Sequence, residues 1–283
     1  MKLVQFTCNE RLGFGVLTDE GVRDVGSALG ITELAVALAE HDGMDKIAAA
    51  TASSELLASS QVVLRRPITR PDKVYCVGLN YRAHVAETGR DMPAYPTLFT
   101  RYHDSFVDPG APLICPSESQ HFDYEGELAL VIGRHADRVS EDDALNIVAG
   151  VTCLNDGSIR DFQKHTTQFT PGKNFRSSGS FGPAIVTLDE CGPIEALQLT
   201  TRLNGEVVQE APLSDLIFTV PQLISYITTF SPLRPGDVIA TGTPGGVGMA
   251  RKPPLWLTEG DTIEVSIPRV GKLSNTVARQ TGV

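Results

Sequence analysis

The sequence has no uninterrupted apolar run of about 18 residues, the length at which a helix can cross a membrane. Its few cysteines lie far apart, which predicts free thiols in a reducing compartment rather than a disulfide framework. They are Cys8, Cys76, Cys115, Cys153 and Cys191. Charged residues interrupt the first segment, MKLVQFTCNERLGFG, so we expect no signal peptide there. Together these absences predict a cytoplasmic location without membrane contact.

Basic charge is also scarce. The chain has 24 lysines and arginines against 34 aspartates and glutamates, which gives a formal net charge of -10 at pH 7. A nucleic-acid-binding domain usually presents a basic face, so the composition argues against that class of partner. It does not argue against a small anionic substrate, because a metal ion and a few cations can dominate the field inside a cleft.

What the 283 residues do contain is frequent turn signals between short β-branched runs, with 26 glycines and 18 prolines. This pattern predicts a mainly β (α+β) protein, with helices within 32–59, at Ser140–Ile147 and at Val220–Thr229. Because the helices do not alternate with the strands, a mixed β-sandwich or roll is favoured over a doubly wound sheet. We expect a small N-terminal α+β module at 1–68 and a catalytic domain at 72–283.

Three carboxylates lie at the ends of predicted strands and are candidate metal ligands. Glu125 and Glu127 lie two residues apart in FDYEGELALVIGR, so in a strand they would share one face. Asp156 follows the apolar run NIVAGVTCL, at the end of another predicted strand. Such hard oxygen donors would favour Mg²⁺, Mn²⁺ or Ca²⁺ over zinc. The alternatives are a solvated strand end for the two glutamates and an ordinary turn for the aspartate.

Three further segments carry groups with possible chemistry. In GLNYRAHVAETG, His84 and Glu87 would share one helix face, where a carboxylate orients an imidazole as a general base needs. Lys173 lies in the loop TPGKNF and could polarise a carbonyl group. Thr243 lies in the glycine-rich IATGTPGGVG, which is not a P-loop because no GK[ST] follows. By spacing alone, an exposed helical pair and a surface lysine are the more common explanations of the first two segments.

The order of these segments carries more information than each one alone. GLNYRAHVAE, DYEGELALVIG, NDGSIRDFQ, GKNF and ATGTPGGVG occur in the order typical of the fumarylacetoacetate hydrolase family, which the chain resembles from about residue 72 to 278. The likeness points to its bacterial acylpyruvate or 2,4-diketo acid hydrolases. It implies a mixed β-sandwich roll that assembles as a homodimer. It also implies a Mg²⁺ or Mn²⁺ ion (Ca²⁺ in crystals) on Glu125, Glu127 and Asp156.

The resemblance also implies roles for other side chains. His84 and Glu87 would be the water-activating pair on a lid, and Lys173 would be the third catalytic residue. The expected substrate-binding residues are the family-matched Arg160, Gln163, Tyr81 and Thr243, together with Arg101 and Tyr102. The last two stand where many relatives have a lysine and small residues, at a place that borders the pocket, which indicates a different substrate. A surface position is an equal alternative for Arg101.

The implied activity is metal-dependent hydrolysis of a carbon–carbon bond in an acylpyruvate-like 2,4-diketo acid. The metal would stabilise the enolate that forms when this bond breaks. Decarboxylation of oxaloacetate, or isomerisation of a 2-hydroxy-diene-dioate, would use the same metal site without an attacking water. A homologue that binds a metal or ligand without catalysis is a further alternative. In each enzymatic case the partner is a small 2-oxo or 2,4-dioxo acid.

Overall fold

The computed structural model describes residues 1–89 and 91–280, so the last three residues of the predicted second domain lie outside the described part. Strands predominate. They are β1 (Lys2–Cys8), β2 (Arg11–Thr18), β3 (Gly21–Arg23), β4 (Leu56–Leu57), β5 (Val62–Arg65), β6 (Val74–Gly78), β7 (Thr97–Thr100), β8 (Phe106–Val107), β9 (Leu113–Cys115), β10 (Phe122–Asp123), β11 (Gly126–Ile132), β12 (Val148–Asn155), β13 (Ser158–Ile159), β14 (Gly179–Val186), β15 (Gln198–Leu203), β16 (Glu206–Pro212), β17 (Val238–Ala240), β18 (Thr262–Ile267) and β19 (Gly271–Arg279).

The helices are short and fall between the strands. They are α1 (Val25–Leu29), α2 (Leu34–Ala39), α3 (Gly43–Thr51), α4 (Arg82–Thr88), α5 (Arg160–Gln163), α6 (Thr170–Lys173), α7 (Leu188–Cys191) and α8 (Val220–Phe230). None of the helices in the described part of the chain has the length and apolarity needed to cross a membrane.

A large mixed sheet forms the centre of the molecule, in the order β4-β3-β2-β1-β14-β12-β11-β17-β6-β7. Every residue of β11, with the sequence GELALVI, is buried. Such a continuous apolar run suits a strand that is covered on both faces. Strand β11 pairs antiparallel with β12 and β17, while β17 pairs in parallel with β6. The site described below lies at one end of these central strands.

A second sheet, β16-β15-β18-β19-β9, packs against the first. Strand β18 alternates half-buried and buried residues, as expected for a strand with one face toward the core. Leu128 and Leu130 of the large sheet share a hydrophobic cluster with Leu199 and Val265 of the second sheet and with Leu223 of α8. This two-sheet arrangement with peripheral helices confirms the predicted mainly β, α+β fold class.

The first 65 residues add strands to the same sheet. Strand β1 pairs antiparallel with β14 through Lys2–Val186 and Leu3–Ile185. Leu3 also belongs to a hydrophobic cluster that includes Ala129 of β11. The N-terminal part therefore shares both a sheet and a core with the rest of the chain, and the boundary expected between 68 and 72 stays a prediction.

The predicted helices have different outcomes. The helix expected at Val220–Thr229 is confirmed as α8, and Thr219 and Gln222 form a capping box at its start. The prediction of a helix at Ser140–Ile147 is wrong. Asp143 N donates to Ser140 Oγ over 3.2 Å and closes a turn, but only Ala144–Ile147 forms a 3₁₀ turn. Strand β12 begins immediately afterwards, which leaves no length for an α-helix.

Candidate active site

Three buried carboxylates meet where β11 begins and β12 ends. Antiparallel pairing sets Gly126 opposite Asn155, and Asp156 N donates to Glu125 O over 2.8 Å. The flanking carboxylates of Glu125, Glu127 and Asp156 are thereby brought together, with one oxygen of each within 4.8 Å of the others. All three side chains are at least 94% buried. Carboxylate oxygens at this spacing are the ligands that hard divalent cations prefer.

The glycine between the two glutamates is required by the packing of the second sheet. A Cβ atom on Gly126 would lie 2.0 Å from Oγ1 of Thr201 in β15. No side chain fits there, so the strand that carries Glu125 and Glu127 lies directly on the second sheet. This contact fixes the distance of both carboxylates from the second sheet.

Two of the carboxylates are already paired with cations. Lys173 Nζ donates to Glu125 Oε2 over 2.5 Å and to Asp156 Oδ2 over 2.7 Å. Arg160 Nη2 lies 2.6 Å from Glu125 Oε1, an ion pair that is not aligned as a hydrogen bond. Burial would raise the pKa of Glu125, but Arg160 and then Lys173 outweigh it and lower this pKa to about 2. The pKa of Lys173 is raised, because Asp156 and Glu125 outweigh its burial.

Glu127 differs from its neighbours. Among the ion pairs of the described residues none involves its carboxylate, and its Oε2 accepts a 2.7 Å hydrogen bond from Gly242 N. Burial, followed by the charges of Asp156 and Glu125, raises its pKa well above the ordinary value. Gly242 has a φ of 107°, a conformation that favours glycine. A carboxylate buried beside two others without a cation of its own is the chemistry that a bound divalent cation would complete, so the donor set fits a metal.

The catalytic pair expected from the sequence lies on α4. His84 Nδ1 is 2.7 Å from Glu87 Oε1, and the other oxygen of Glu87 accepts from Gly246 N over 2.9 Å. Glu87 therefore joins the helix to the glycine-rich loop after β17. His84 itself is buried and faces the cavity, so the interpretation as an exposed helical pair does not hold for the imidazole.

A cavity of about 410 Å³ connects the carboxylates to the surface. It brings together most of the expected site residues, namely His84, Glu125, Glu127, Arg160, Gln163, Lys173 and Thr243. Asp156 is not among the described lining residues and accepts from Lys173 Nζ over 2.7 Å. Thr243 Oγ1 donates to Gly126 O over 3.0 Å and accepts from Gln209 Nε2 over 2.7 Å, so the hydrogen of its hydroxyl points to the protein.

Three expected substrate-binding residues do not line this cavity in the described part of the chain, and their contact with substrate stays a prediction. Arg101 is fully buried behind the site, where Nη1 donates to Asp156 Oδ1 over 2.6 Å and the other nitrogens bond Ser105 and Ser178. It supports a carboxylate instead of lining the cavity. Tyr102 is 57% exposed on the surface, and Tyr81 is buried in the core, where no described residue is a hydrogen-bond partner of its hydroxyl. Neither tyrosine lines the cavity.

Sequence reasoning missed the residues that hold the site in place. Buried Asp123 accepts from Arg160 Nε over 2.8 Å and from the backbone of Gly248 and Met249. Gln209 accepts from Gly126 N over 2.9 Å while it donates to Thr243. Asp123 stands in the same FDYEGE segment as Glu125, so its position was a weak signal. Gln209 lies in a strand far along the chain, and no local pattern indicated its contacts.

Known proteins resemble the chain over most of its length. The model of the family described as "Fumarylacetoacetate (FAA) hydrolase C-terminal" matches residues 73–278. The mitochondrial oxaloacetate tautomerase Fahd2a of Rattus norvegicus is 40% identical over 230 residues, which cover 81% of this chain and 74% of the relative. The solved fumarylacetoacetate hydrolase of Exiguobacterium antarcticum is 34% identical, with a TM-score of 0.87 and coverage of 99% and 100%.

A solved structure with ligands is also similar. It is the maleylpyruvate hydrolase of Sphingobium sp. SYK-6 in complex with manganese(II) and pyruvate, which is 25% identical with a TM-score of 0.82 over 99% of this chain and 100% of that one. The family match and the extended likeness agree with the carboxylate cluster and its cavity. The chain belongs to the fumarylacetoacetate hydrolase family.

Proposed function

We propose that this chain is a metal-dependent enzyme that interconverts the keto and enol forms of a 2-oxo dicarboxylic acid such as oxaloacetate. The observation that carries the proposal is that the His84–Glu87 pair faces the same cavity as the carboxylate cluster and two buried cations. The rat relative, at 40% identity, is named an oxaloacetate tautomerase, which supports the substrate. Tautomerisation needs a base and a stabilised enolate but no attacking water.

Glu125, Glu127 and Asp156 would hold the divalent cation. When bound, the ion would polarise the 2-oxo group of the substrate and stabilise negative charge on its oxygen. The ligand chemistry suits both Mg²⁺ and Mn²⁺, since both take oxygen ligands in octahedral sites. The manganese-bound maleylpyruvate hydrolase supports Mn²⁺ as one of the two.

The proton transfer is assigned to the histidine. Because Glu87 holds Nδ1, the Nε2 atom of His84 is the nitrogen left to face the substrate. It removes a proton from C3, and the adjacent carboxylate stabilises the imidazolium that results. One C3–H bond breaks and one O–H bond forms on the 2-oxygen, with the reverse in the other direction. We assign Lys173 the stabilisation of that oxygen as its charge develops.

Anion binding is assigned to the arginine. Nη2 of Arg160 lies 2.6 Å from Glu125 Oε1 at the inner end of the cavity, and we assign its second N–H to the carboxylate next to the 2-oxo group. Asp123 and Gln163 hold the rest of the guanidinium, at 2.8 Å and 2.9 Å. This orientation needs no rearrangement when the substrate binds.

Hydrolysis of a 2,4-diketo acid is the second candidate. The same histidine would then deprotonate a water molecule that attacks the distal carbonyl group. The likeness to maleylpyruvate hydrolase over nearly the whole chain favours this candidate. Decarboxylation of oxaloacetate would need the same enolate and is distinguished by release of CO₂. A homodimer and a cytoplasmic location stay predictions.

The test uses purified protein treated with a chelator and then reloaded with Mg²⁺ or Mn²⁺. The ultraviolet absorbance of enol-oxaloacetate should decay faster with the loaded enzyme than without it, and without release of CO₂. His84→Ala should lower this rate by about 10²–10⁴-fold. Binding of Mn²⁺ by this variant should be unchanged. If enol-oxaloacetate decays at the uncatalysed rate while an acylpyruvate is split to pyruvate, the hydrolase candidate replaces the first.

A further inference from the structure

The charged side chains that line the cavity fall into two groups. Four of them are buried at its inner end, namely Glu125, Glu127, Arg160 and Lys173. The exposed lining residues at the mouth include Lys164, Thr166 and Thr167. Lys164 is thus the one charged group that the described residues place at the mouth. A ligand that extends from the inner end toward Lys164 would bring its outer end near an ammonium group.

The buried cations are already engaged by carboxylates of the protein. Arg160 is paired with Asp123 and Glu125, and Lys173 with Glu125 and Asp156. In contrast, within residues 1–89 and 91–280 no carboxylate lies within 4.0 Å of the Lys164 ammonium group. Among the described residues, Lys164 is therefore the cationic lining residue whose charge no protein carboxylate offsets.

The backbone of Lys164 is fixed although its side chain is exposed. It directly follows α5, and its backbone N–H donates to Asp161 O over 3.1 Å. The Asp161 carboxylate accepts from Ser119 Oγ over 2.7 Å and lies 3.5 Å from His121, so it is engaged by other groups. Gln163, the preceding residue, is held by Arg160. The lysine thus extends from the same short helix that carries the inner anion-binding groups.

We propose that Lys164 binds the distal carboxylate of the substrate and so selects 2-oxo dicarboxylic acids over 2-oxo monocarboxylic acids. This inference rests on the proposed function, in which the carboxylate and the 2-oxo group of the substrate occupy the inner end. The second carboxylate of a four-carbon acid then points toward the mouth. An ammonium group there would give a charge-assisted hydrogen bond to it, whereas a monocarboxylic acid offers nothing for it to bind.

The experiment compares two substrates in four proteins. Enolisation of oxaloacetate and of 2-oxobutyrate is measured in Mn²⁺ as exchange of C3 protons for deuterium, in wild type, Lys164→Met, Lys164→Arg and Lys272→Met. The last variant removes an exposed lysine of β19, outside the cavity lining, and serves as the matched control. Because Lys164 is exposed, Lys164→Met should keep the melting temperature of the wild type.

For Lys164→Met we expect kcat/KM on oxaloacetate to fall roughly 5- to 20-fold, mainly because KM rises. This loss is larger than that expected for an exposed ion pair and smaller than that for a buried charged hydrogen bond. The value on 2-oxobutyrate should stay unchanged, and Lys164→Arg should recover most of the loss. Added salt should raise the KM for oxaloacetate in wild type and much less in Lys164→Met. Equal losses on both acids, or no loss on oxaloacetate, would overturn the assignment.

The proposed function can fail while the assignment of Lys164 still holds. In that case the wild type would catalyse exchange on neither acid. The dissociation constants of oxaloacetate and 2-oxobutyrate, measured by calorimetry on the Mn²⁺-loaded proteins, then test the lysine by itself. A preference of the wild type for oxaloacetate that disappears in Lys164→Met would support the assignment, and the same preference in both proteins would refute it.

Discussion

Substitution of Glu127 by glutamine should change the stability of the protein in opposite directions with and without metal. The Glu127 side chain is 98% buried or more, beside Glu125 and Asp156, and one backbone hydrogen bond from Gly242 is its partner. Glu127→Gln keeps an oxygen for that bond and removes the charge. In a chelator at pH 8 we expect the free energy of unfolding to rise by about 1–3 kcal/mol, the cost of a buried charged group that is poorly compensated.

The gain in unfolding free energy of Glu127→Gln should be larger at high pH than at low pH. Burial and two like charges raise the pKa of Glu127 in the folded protein above its ordinary value of 4.5. The folded state therefore binds the proton more tightly than the unfolded state, and the penalty appears as pH rises above about 4.5. At pH 4 the carboxyl group is protonated in both states to a large extent, so the difference between Glu127→Gln and wild type should shrink there.

Bound metal should make the wild type more stable than Glu127→Gln. At a Mn²⁺ concentration about 1,000 times the dissociation constant, the wild type gains about 4.1 kcal/mol by mass action, more than the advantage of the variant in chelator. The variant lacks one carboxylate ligand and should gain much less. Urea denaturation at pH 4 and pH 8, with chelator and with Mn²⁺, measures all four conditions, and Glu20→Gln on the surface serves as a matched control that should change none. A variant that is less stable than wild type in chelator at pH 8, or one that gains as much from Mn²⁺, would refute the reasoning.

Two further substitutions test the support of the same cluster. Gly126→Ala places a Cβ atom 2.0 Å from Thr201 Oγ1, so the strand that carries Glu125 and Glu127 must shift. We expect the free energy of unfolding to fall by about 1–3 kcal/mol in thermal or urea denaturation, and Mn²⁺ binding to weaken in calorimetry. An unchanged affinity for Mn²⁺ would contradict the packing argument. Glu125 has its pKa lowered from 4.5 to about 2, so the stability it contributes is complete above about pH 4.5 and is lost as pH falls through about 2. Acid titration of unfolding should therefore show a shallower loss in Glu125→Gln than in wild type between these values, and parallel curves would show that its ion pairs add nothing.

The local patterns of the sequence were sufficient for most of the elements. Apolar runs indicated β11 and β12, and the residue pattern of Val220–Thr229 indicated α8, because these signals depend on neighbouring residues alone. The same reasoning failed at 140–147. There a turn of the right composition is followed at once by a strand, and the tertiary position of that strand limited the helix.

The candidate site was predictable for a different reason. The spacing of Glu125 and Glu127 places both on one side of a strand, but by itself it favoured a solvated strand end over a metal site. The ordered family segments selected the metal interpretation and supplied His84 and Lys173. Arg101 shows the limit of this approach: it was expected at the pocket because of where it stands in the sequence, and it is instead buried against Asp156.

By itself the sequence determined the fold class, the family and the residue types that can hold a divalent cation, since these follow from periodicity and from motifs read in order. Only the tertiary structure decided which charges meet. Lys173 lies 48 residues from Glu125, and Gln209 lies 83 residues from Gly126, yet each pair is in hydrogen-bond contact. The ion pairs among the described residues, which engage Glu125 and Asp156 but not Glu127, arise from contacts between distant segments. No local pattern encodes such contacts, because they depend on how two sheets and a loop pack together.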